Sequence, residues 1–195
     1  MVQGRQALGQ IEEHTRKMKS TDNKYLEVAI AAAKEAGRIQ KVHLADLHKV
    51  EFKGEINPVS EVDKLCERAI NRIILDAFPD HDLLTEESAF KGMGSPFKWV
   101  IDPIDGTTNY IHGFPFFCVS IALEIEGEIK LGVVYDPLFD ELFQAETGKG
   151  AFLNGNRISV SSMKDLNLSF LTTGFPYDVR EHADFYLRFF RQFMM

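Results

Sequence analysis

The residue types most able to do chemistry are concentrated in one block, Asp102-Pro-Ile-Asp-Gly-Thr-Thr-Asn109. Asp102 follows an apolar run, and Pro103 restricts the backbone and removes one N–H donor. Because Asp105 comes two residues after the proline, a turn can bring both carboxylates to one point, with a backbone carbonyl exposed between them. Such a set of oxygen atoms is suited to binding a hard cation.

The second half of this block is suited to an anion. Gly106 allows the backbone to approach a ligand closely. Thr107 and Thr108 are able to cap a following helix, and the free N–H groups at the start of a helix favour phosphate. The alternative is that Asp-Gly simply marks a hairpin turn.

Three further candidate residues lie outside the block. Glu86 belongs to Thr85-Glu-Glu-Ser88, Asp63 lies just inside a predicted helix, and Lys53 is a cation on a glycine-containing loop. Each has an ordinary explanation as well. Glu-Glu-Ser is typical of a solvated turn, an acidic residue at a helix start is favoured by the helix dipole, and a single lysine is usually on the surface.

Electrostatics decides what such carboxylates could do together. Two like charges 4 Å apart repel by roughly 4 kcal/mol at an effective dielectric constant of 20. If Glu86, Asp102 and Asp105 converge, they must take up protons, move apart or bind cations. Oxygen ligands without nearby His or Cys favour Mg²⁺, Ca²⁺ or Mn²⁺ over zinc. Together with an anion site, they indicate phosphoryl chemistry.

A glycosidase is an alternative, because it also uses paired carboxylates. That interpretation leaves the Gly-Thr-Thr segment without a role.

Composition excludes several other classes of protein. The 195 residues contain 22 Lys and Arg against 29 Asp and Glu, a net charge of −7, which argues against nucleic acid and anionic membranes as partners. Two cysteines cannot form a disulfide scaffold. The sequence contains no apolar run of about 18 residues and no signal-peptide pattern, so we expect a cytoplasmic protein.

Hydrophobic periodicity predicts two helices followed by strands. Apolar residues at helical spacing predict an amphipathic helix over about 23–46, and a second one from Ser60 to Phe78. The period then changes, and Glu126-Gly127 and Asn154-Gly155 indicate hairpin turns. The predicted strands are 83–85, 99–101, 116–126, 129–136, 141–146, 148–152 and 168–172. The sequence therefore predicts an α+β fold, with a helix pair packed on a mostly antiparallel sheet.

The predicted organisation has three parts. Residues 1–20 read as a polar N-terminal extension, 21–178 as a metal-binding α+β domain, and 179–195 as the helical start of a second, truncated unit. The last eleven residues, Phe185–Met195, are apolar on nearly every side. A helix of this kind is expected to be buried, either on a partner or beneath further chain.

At the central block the sequence resembles the inositol monophosphatase family, part of the Mg²⁺-dependent, lithium-sensitive sugar phosphatases. Trp99-Val-Ile-Asp-Pro-Ile-Asp-Gly-Thr-Thr-Asn-Tyr110 is similar to the family signature. Asn57-Pro-Val-Ser-Glu-Val-Asp63 and Thr85–Ser88 resemble its two other acidic segments. Phe116–Leu123, Gly132–Pro137 and Gly148–Gly155 also resemble the family, in its order.

This resemblance implies a role for each candidate residue. Glu86, Asp102 and the backbone carbonyl of Ile104 would bind the first Mg²⁺, and Asp102 and Asp105 the second. Thr107, with Glu86, would orient and help to deprotonate the attacking water. Asp63 would support the water network or a third ion, and Lys53 would lie near the phosphate. Asp105, Gly106 and Thr107 would contact the substrate.

The resemblance also implies a layered αβαβα fold and Mg²⁺-dependent hydrolysis of inositol monophosphate by a homodimer with two or three Mg²⁺ per complete site. Fructose bisphosphate and a 3′-phosphoadenosine nucleotide are alternative substrates. The family's W-D-x-A-A-G-like motif, which supplies a second-metal aspartate, does not occur in these residues, where Trp99 is the only tryptophan. We therefore expect the C-terminal α/β layers to be absent. This chain would then bind one Mg²⁺ weakly and turn over poorly, and an inactive fragment that binds only metal or a partner is a third possibility.

Overall fold

The computed structural model describes residues 24–44, 61–86, 92–175 and 177–194. The predicted polar extension over 1–20, the loop with Lys53, and Asn57 therefore lie outside the described residues. No helix within these ranges is long and apolar enough to cross a membrane.

The two predicted helices are confirmed. Helix α1 spans 24–44, and helix α2 spans Glu61–Ala77. Each has one apolar face that is removed from solvent. On α1 this face consists mainly of alanines, whose small side chains let the helix lie close to the sheet. At Gly37 an added Cβ would lie 2.6 Å from the Tyr135 ring, so this contact requires glycine.

Within the described residues, seven strands form one sheet whose spatial order follows the chain. The strands are β1 (Asp82–Thr85), β2 (Phe97–Asp105), β3 (Cys118–Ile125), β4 (Glu128–Asp136), β5 (Glu141–Glu146), β6 (Gly150–Leu153) and β7 (Asn156–Ile158). β1 and β2 are parallel, and every later pair is antiparallel.

The parallel pair has two distinct ends. β1 and β2 finish at the same edge, which we call the carboxylate end; it carries Glu86 and the segment Asp102–Asp105. The opposite edge, the Asp82 end, carries Asp82 and the start of β2 at Phe97. Because the β3–β4 hairpin pairs Ile125 with Phe97, its turn also lies at the Asp82 end.

The core lies on one face of this sheet. Burial alternates along β2, β3 and β4, as expected for strands with one covered face. The buried residues of these strands include Trp99, Ile101, Val119, Ile121, Leu123, Leu131 and Val133, which form one cluster with the apolar faces of α1 and α2. The predicted α+β fold with a helix pair on a mostly antiparallel sheet is therefore confirmed.

The predicted hairpin turns are also present. Glu126 and Gly127 have φ of 53° and 83°, and Asn154 and Gly155 have φ of 48° and 77°. Two consecutive positive φ angles are the signature of a type I′ turn, whose twist matches the flanking strands. In addition, β7 forms a strand that the sequence patterns do not mark.

The chain divides into two compact units, one ending at Ser159 and the other covering Val160–Met195. The second unit contains short 3-10 turns at Leu166–Leu168 and Tyr177–Arg180, and a helix at Ala183–Met194, numbered α4 because the short helix α3 at Thr107–Ile111 precedes it. None of the α4 side chains is buried. The predicted domain limits at 20 and 178 stay predictions.

One predicted strand is wrong. Leu168–Thr172 contains the end of a 3-10 turn and then no regular structure. The carboxylate of Asp165 accepts a hydrogen bond from the N–H of Asn167, which favours the turn. No described strand pairs with this segment, and β-forming residues adopt a strand only when a neighbouring strand or packed face supports them.

Candidate metal and phosphate site

The register of the β1–β2 pair places Glu86 beside Asp102. Thr85 is the register partner of Ile101, so the next residue on each strand comes level as β1 ends. The side chains of Glu86 and Asp102 are in hydrogen-bonding contact. Strand register thus brings carboxyl groups from two different strands to one point, where both are possible ligands of one cation.

The turn after Asp102 is held by its own side chain. Asp102 Oδ1 accepts a hydrogen bond from the Ile104 N–H at 3.1 Å. The pairing of β2 with β3 is interrupted between Asp102 and Asp105, and resumes where Asp105 pairs with Cys118. Irregularities of this kind change the direction in which side chains point. Here the irregularity lies between the two aspartates of the sequence block.

Gly106 and Thr107 complete the turn. Gly106 has a φ of 93°, and an added Cβ would lie 3.0 Å from the Phe116 carbonyl oxygen, so both conformation and space require glycine. The Thr107 hydroxyl donates to the Ile104 carbonyl at 2.9 Å. Helix α3 (Thr107–Ile111) begins here as predicted, but the predicted threonine cap is wrong, because Gly106 is the N-cap residue and no side chain caps the helix.

Negative charge accumulates at this end of the sheet. The pKa of Asp102 is raised from 3.8 to about 7, chiefly by burial and then by the nearby carboxylates of Glu86 and Asp105. Burial also raises the pKa of the Cys118 thiol to about 12, and Asp105 and Asp102 add to that shift. The Cys118 thiol donates to Asp105 Oδ2 at 3.8 Å. These shifts describe a site in which added positive charge is favourable.

This donor set fits a hard divalent cation. The oxygen atoms come from the neighbouring Glu86 and Asp102 carboxyl groups and from the Ile104 carbonyl in the turn that follows. Among the described residues, however, no group of three or more His, Cys, Asp or Glu side chains is close enough to hold a metal ion. The expected convergence of three carboxylates is thus seen as the pair Glu86–Asp102, with Asp105 near it but hydrogen-bonded to Cys118.

Asp63 is buried on α2, with 1% of its surface exposed. Burial raises the pKa values of Cys66 and Tyr110, and the charge of Asp63 adds to both shifts, so Asp63 belongs to the interior that contains these two side chains. It does not contribute to the shift of Asp102. The predicted roles of Asp63 and of Lys53, which lies outside the described residues, stay predictions.

Two residues at the site, Cys118 and Gln40, were not among the residues predicted from the sequence. Cys118 meets Asp105 because of strand pairing, which no local motif encodes. Gln40 on α1 donates to the Pro103 carbonyl at 2.8 Å. A signal for Gln40 does exist, since it continues the apolar stripe of Ala33 and Ala36 at helical spacing and is polar where an apolar residue is expected.

A family model described as the inositol monophosphatase family matches residues 22–192. A protein from Aquifex aeolicus (strain VF5) named fructose-1,6-bisphosphatase/inositol-1-monophosphatase is 44% identical over 170 residues, which are 86% of this chain and 64% of that protein. The Nus factor SuhB of Pasteurella multocida (strain Pm70) is 44% identical over 158 residues, which are 80% of this chain and 59% of that protein.

A solved structure is similar to this chain in fold as well as in sequence. The inositol monophosphatase of Anabaena (Nostoc) sp. PCC 7120 matches with a TM-score of 0.71 at 41% identity, covering 82% of this chain and 58% of that one. The chain thus spans about three fifths of the length of the relatives it matches.

Proposed function

We propose that this chain, which belongs to the inositol monophosphatase family, hydrolyses phosphate monoesters with Mg²⁺ as its cofactor and takes inositol monophosphate as substrate. The observation that carries the proposal is the carboxyl pair of Glu86 and Asp102, with the pKa of Asp102 raised to about 7. Carboxylates held together against their repulsion are typical of a site that functions with a bound cation.

In this proposal, Glu86 and residues of the turn after β2 would hold the metal ions. Glu86, Asp102 and the Ile104 carbonyl would hold one Mg²⁺, and Asp102 and Asp105 would contribute to a second. When bound, Mg²⁺ neutralises phosphate charge, stabilises the leaving oxygen and lowers the pKa of a coordinated water.

The chain's own side chains would orient and deprotonate the attacking water. The Thr107 hydroxyl uses its proton in the bond to the Ile104 carbonyl, so its oxygen is left to accept a hydrogen bond from water. The Glu86 carboxylate is exposed at the end of β1 and would receive the water's proton. Asp105, Gly106 and Thr107 would contact the substrate, while Asp63 and Lys53 would support the water network and the phosphate.

The test is phosphate release by the purified chain, measured with and without Mg²⁺. Inositol monophosphate, fructose bisphosphate and a 3′-phosphoadenosine nucleotide would be compared at equal concentration, since the alternatives differ only in the ester. We expect release from inositol monophosphate that stops with EDTA and returns with excess Mg²⁺. Release that EDTA leaves unchanged would contradict the metal mechanism, and faster release from another ester would change the substrate.

A second candidate function is cation binding without turnover. It is favoured by the arrangement of the aspartates, because Asp102 lies beside Glu86 whereas Asp105 is hydrogen-bonded to Cys118, so the first proposed cation site is more complete than the second. Isothermal titration with Mg²⁺ separates the two candidates, because binding without phosphate release supports this one. Sedimentation of the same sample tests the homodimer that the family resemblance implies.

A further inference from the structure

Gln40 is a polar residue in the apolar interior between α1 and the sheet. Its side chain is completely buried. The amide Nε2 donates to the Pro103 carbonyl at 2.8 Å. The main-chain carbonyl of Gln40 accepts a hydrogen bond from the Tyr110 hydroxyl at 2.9 Å. One residue of α1 therefore holds the segment from Pro103 to Tyr110 at both of its ends.

The Pro103 carbonyl has a direct connection to the carboxyl pair. It belongs to the same peptide group as the Ile104 N–H, and a peptide group is planar and rigid. That N–H donates to Asp102 Oδ1 at 3.1 Å. When Gln40 fixes the carbonyl, it also fixes the direction of the N–H on the other side of the plane, and with it the orientation of the Asp102 carboxyl.

The contacts of Gln40 come at a cost that a purely structural residue would avoid. Among the described residues, its Oε1 has no hydrogen-bond partner although it is buried. An unsatisfied buried polar atom destabilises the folded state, and an apolar residue of the same size would not have this defect. The stripe to which Gln40 belongs is otherwise apolar at Ala33 and Ala36. What the amide provides in return is its bond to Pro103.

We propose that Gln40 is a positioning residue that sets the orientation of the Asp102 carboxyl through the Pro103–Ile104 peptide group. The segment it holds also contains Asp105 and Thr107. This inference rests on the proposed function, because the oriented group is a proposed Mg²⁺ ligand. It adds a requirement that the family motif does not contain, namely a donor on α1.

The test compares three variants. Gln40→Met keeps the length and volume of the side chain but removes the donor, and Tyr110→Phe removes only the second contact. Tyr135→Phe is the matched control, because Tyr135 is also buried and its hydroxyl donates at 2.8 Å, but to Asp140 in the β4–β5 turn. Each variant is measured by amide hydrogen exchange without metal, by Mg²⁺ titration calorimetry and by thermal melting.

We expect Gln40→Met to remain folded while exchange over residues 104–111 becomes faster by about tenfold or more. Its Mg²⁺ dissociation constant should rise by about 10- to 100-fold, as for other groups that orient metal ligands. Tyr110→Phe should show the same effects to a smaller extent, and Tyr135→Phe neither. A merely structural role would lower the melting temperature without a selective change in exchange at this segment.

A folded Gln40→Met variant with exchange at 104–111 and Mg²⁺ affinity within twofold of the wild type would overturn the inference. If Gln40→Met does not fold, Gln40→Leu, which also lacks the donor to the Pro103 carbonyl, is judged by the same criteria. If the wild type binds no Mg²⁺, the proposed function fails, and the exchange measurement still decides whether Gln40 positions the turn.

Discussion

At the Asp82 end of the β1–β2 pair, one buried carboxylate accepts three backbone hydrogen bonds. Asp82 Oδ1 accepts from the Met93 N–H at 2.7 Å, and Oδ2 accepts from the N–H groups of Gly94 and Ser95 at 3.2 and 3.1 Å. At the carboxylate end, Glu86 and Asp102 instead face each other, and Asp102 accepts one backbone hydrogen bond, from Ile104.

The difference separates a carboxylate that the fold itself satisfies from a pair that we propose to bind a cation. Asp82 is satisfied by the chain itself and closes the loop before β2. At the other end, strand register holds Glu86 beside Asp102, and the partial burial of Asp102, followed by the nearby carboxylates, raises its pKa. A site that destabilises the fold in this way is expected where binding of a cation compensates for it.

The largest effect should come from exchanging each aspartate for asparagine. We expect Asp102→Asn to reduce Mg²⁺-dependent phosphate release to background, because a proposed ligand loses its charge. We expect Asp82→Asn to keep its activity per folded molecule but to lose about 1–3 kcal/mol of stability, because its NH₂ group faces N–H donors. Phosphate release and urea unfolding measure the two effects.

In EDTA, the stability of the protein should depend on whether Asp102 carries a proton, and removing its charge should stabilise the fold. Because the pKa of Asp102 is raised to about 7 in the folded state, the unfolded chain loses this proton first as the pH rises. Stability therefore falls between about pH 4 and 7, and the loss persists above that range. Metal-free Asp102→Asn should melt at a higher temperature than the wild type at pH 8. A lower melting temperature would mean that burial and the nearby carboxylates do not destabilise the charged form of Asp102 as described.

The Thr107 hydroxyl should matter far more for turnover than for substrate binding. Thr107→Ala should lower kcat by about 10²- to 10⁴-fold with little change in KM, because a group that orients the attacking water acts in the transition state. Thr147→Ala is the control at the Asp82 end, where the Thr147 hydroxyl donates to the Ile129 carbonyl at 2.9 Å, the same distance as at Thr107. An effect on KM only would assign Thr107 to substrate binding.

Much of this comparison could be predicted from local sequence. The helices followed from the spacing of apolar residues, and the turns at Gly127 and Gly155 from residues that accept positive φ. The block from Asp102 to Thr107 was identifiable because proline, glycine and threonine each restrict the backbone in a known way. Residues only six positions apart or fewer lie close together in any fold, so their proximity can be predicted without knowing the fold.

The rest depended on contacts between distant parts of the chain. Glu86 meets Asp102 through parallel register, and Gln40 meets Pro103 across 63 positions. Neither contact has a local signal that fixes its partner. The error at Leu168–Thr172 has the same origin, because a strand forms only when a neighbour supplies hydrogen bonds. What local patterns miss is which segments become neighbours.

A smaller effect is expected from alanine at the two turn glycines. Gly106 and Gly127 both have positive φ, 93° and 83°, so alanine strains both by about 1–2 kcal/mol. Only at Gly106 would the new Cβ meet backbone, 3.0 Å from the Phe116 carbonyl, whereas nothing lies within 4 Å at Gly127. Gly106→Ala should therefore be the more destabilising of the two in urea unfolding and should also reduce activity. Equal losses would show that the turn can move away from Phe116.

The smallest effect should be a pH dependence confined to the Asp82 end. His81 Nδ1 accepts a hydrogen bond from the Trp99 indole at 3.0 Å, and its ring stacks between Phe78 and Phe97 at 4.7 and 4.5 Å. Burial lowers the pKa of His81, while the nearby carboxylates of Asp80 and Asp82 oppose that shift. The shift therefore reflects the apolar surroundings of the ring.

The lowered pKa has a definite sign for stability. As the pH falls below about 6.5, the unfolded chain takes up this proton before the folded protein does, so the folded state loses stability toward acid and keeps it at neutral pH. His81→Phe keeps the stacking but cannot accept from Trp99 or titrate. The variant should melt below the wild type at pH 7.5, and the difference should shrink by pH 5, as followed by circular dichroism. A difference that stays constant across this range would mean that the proton on His81 is not coupled to folding, and that the Asp82 end contributes its hydrogen bonds without any dependence on pH.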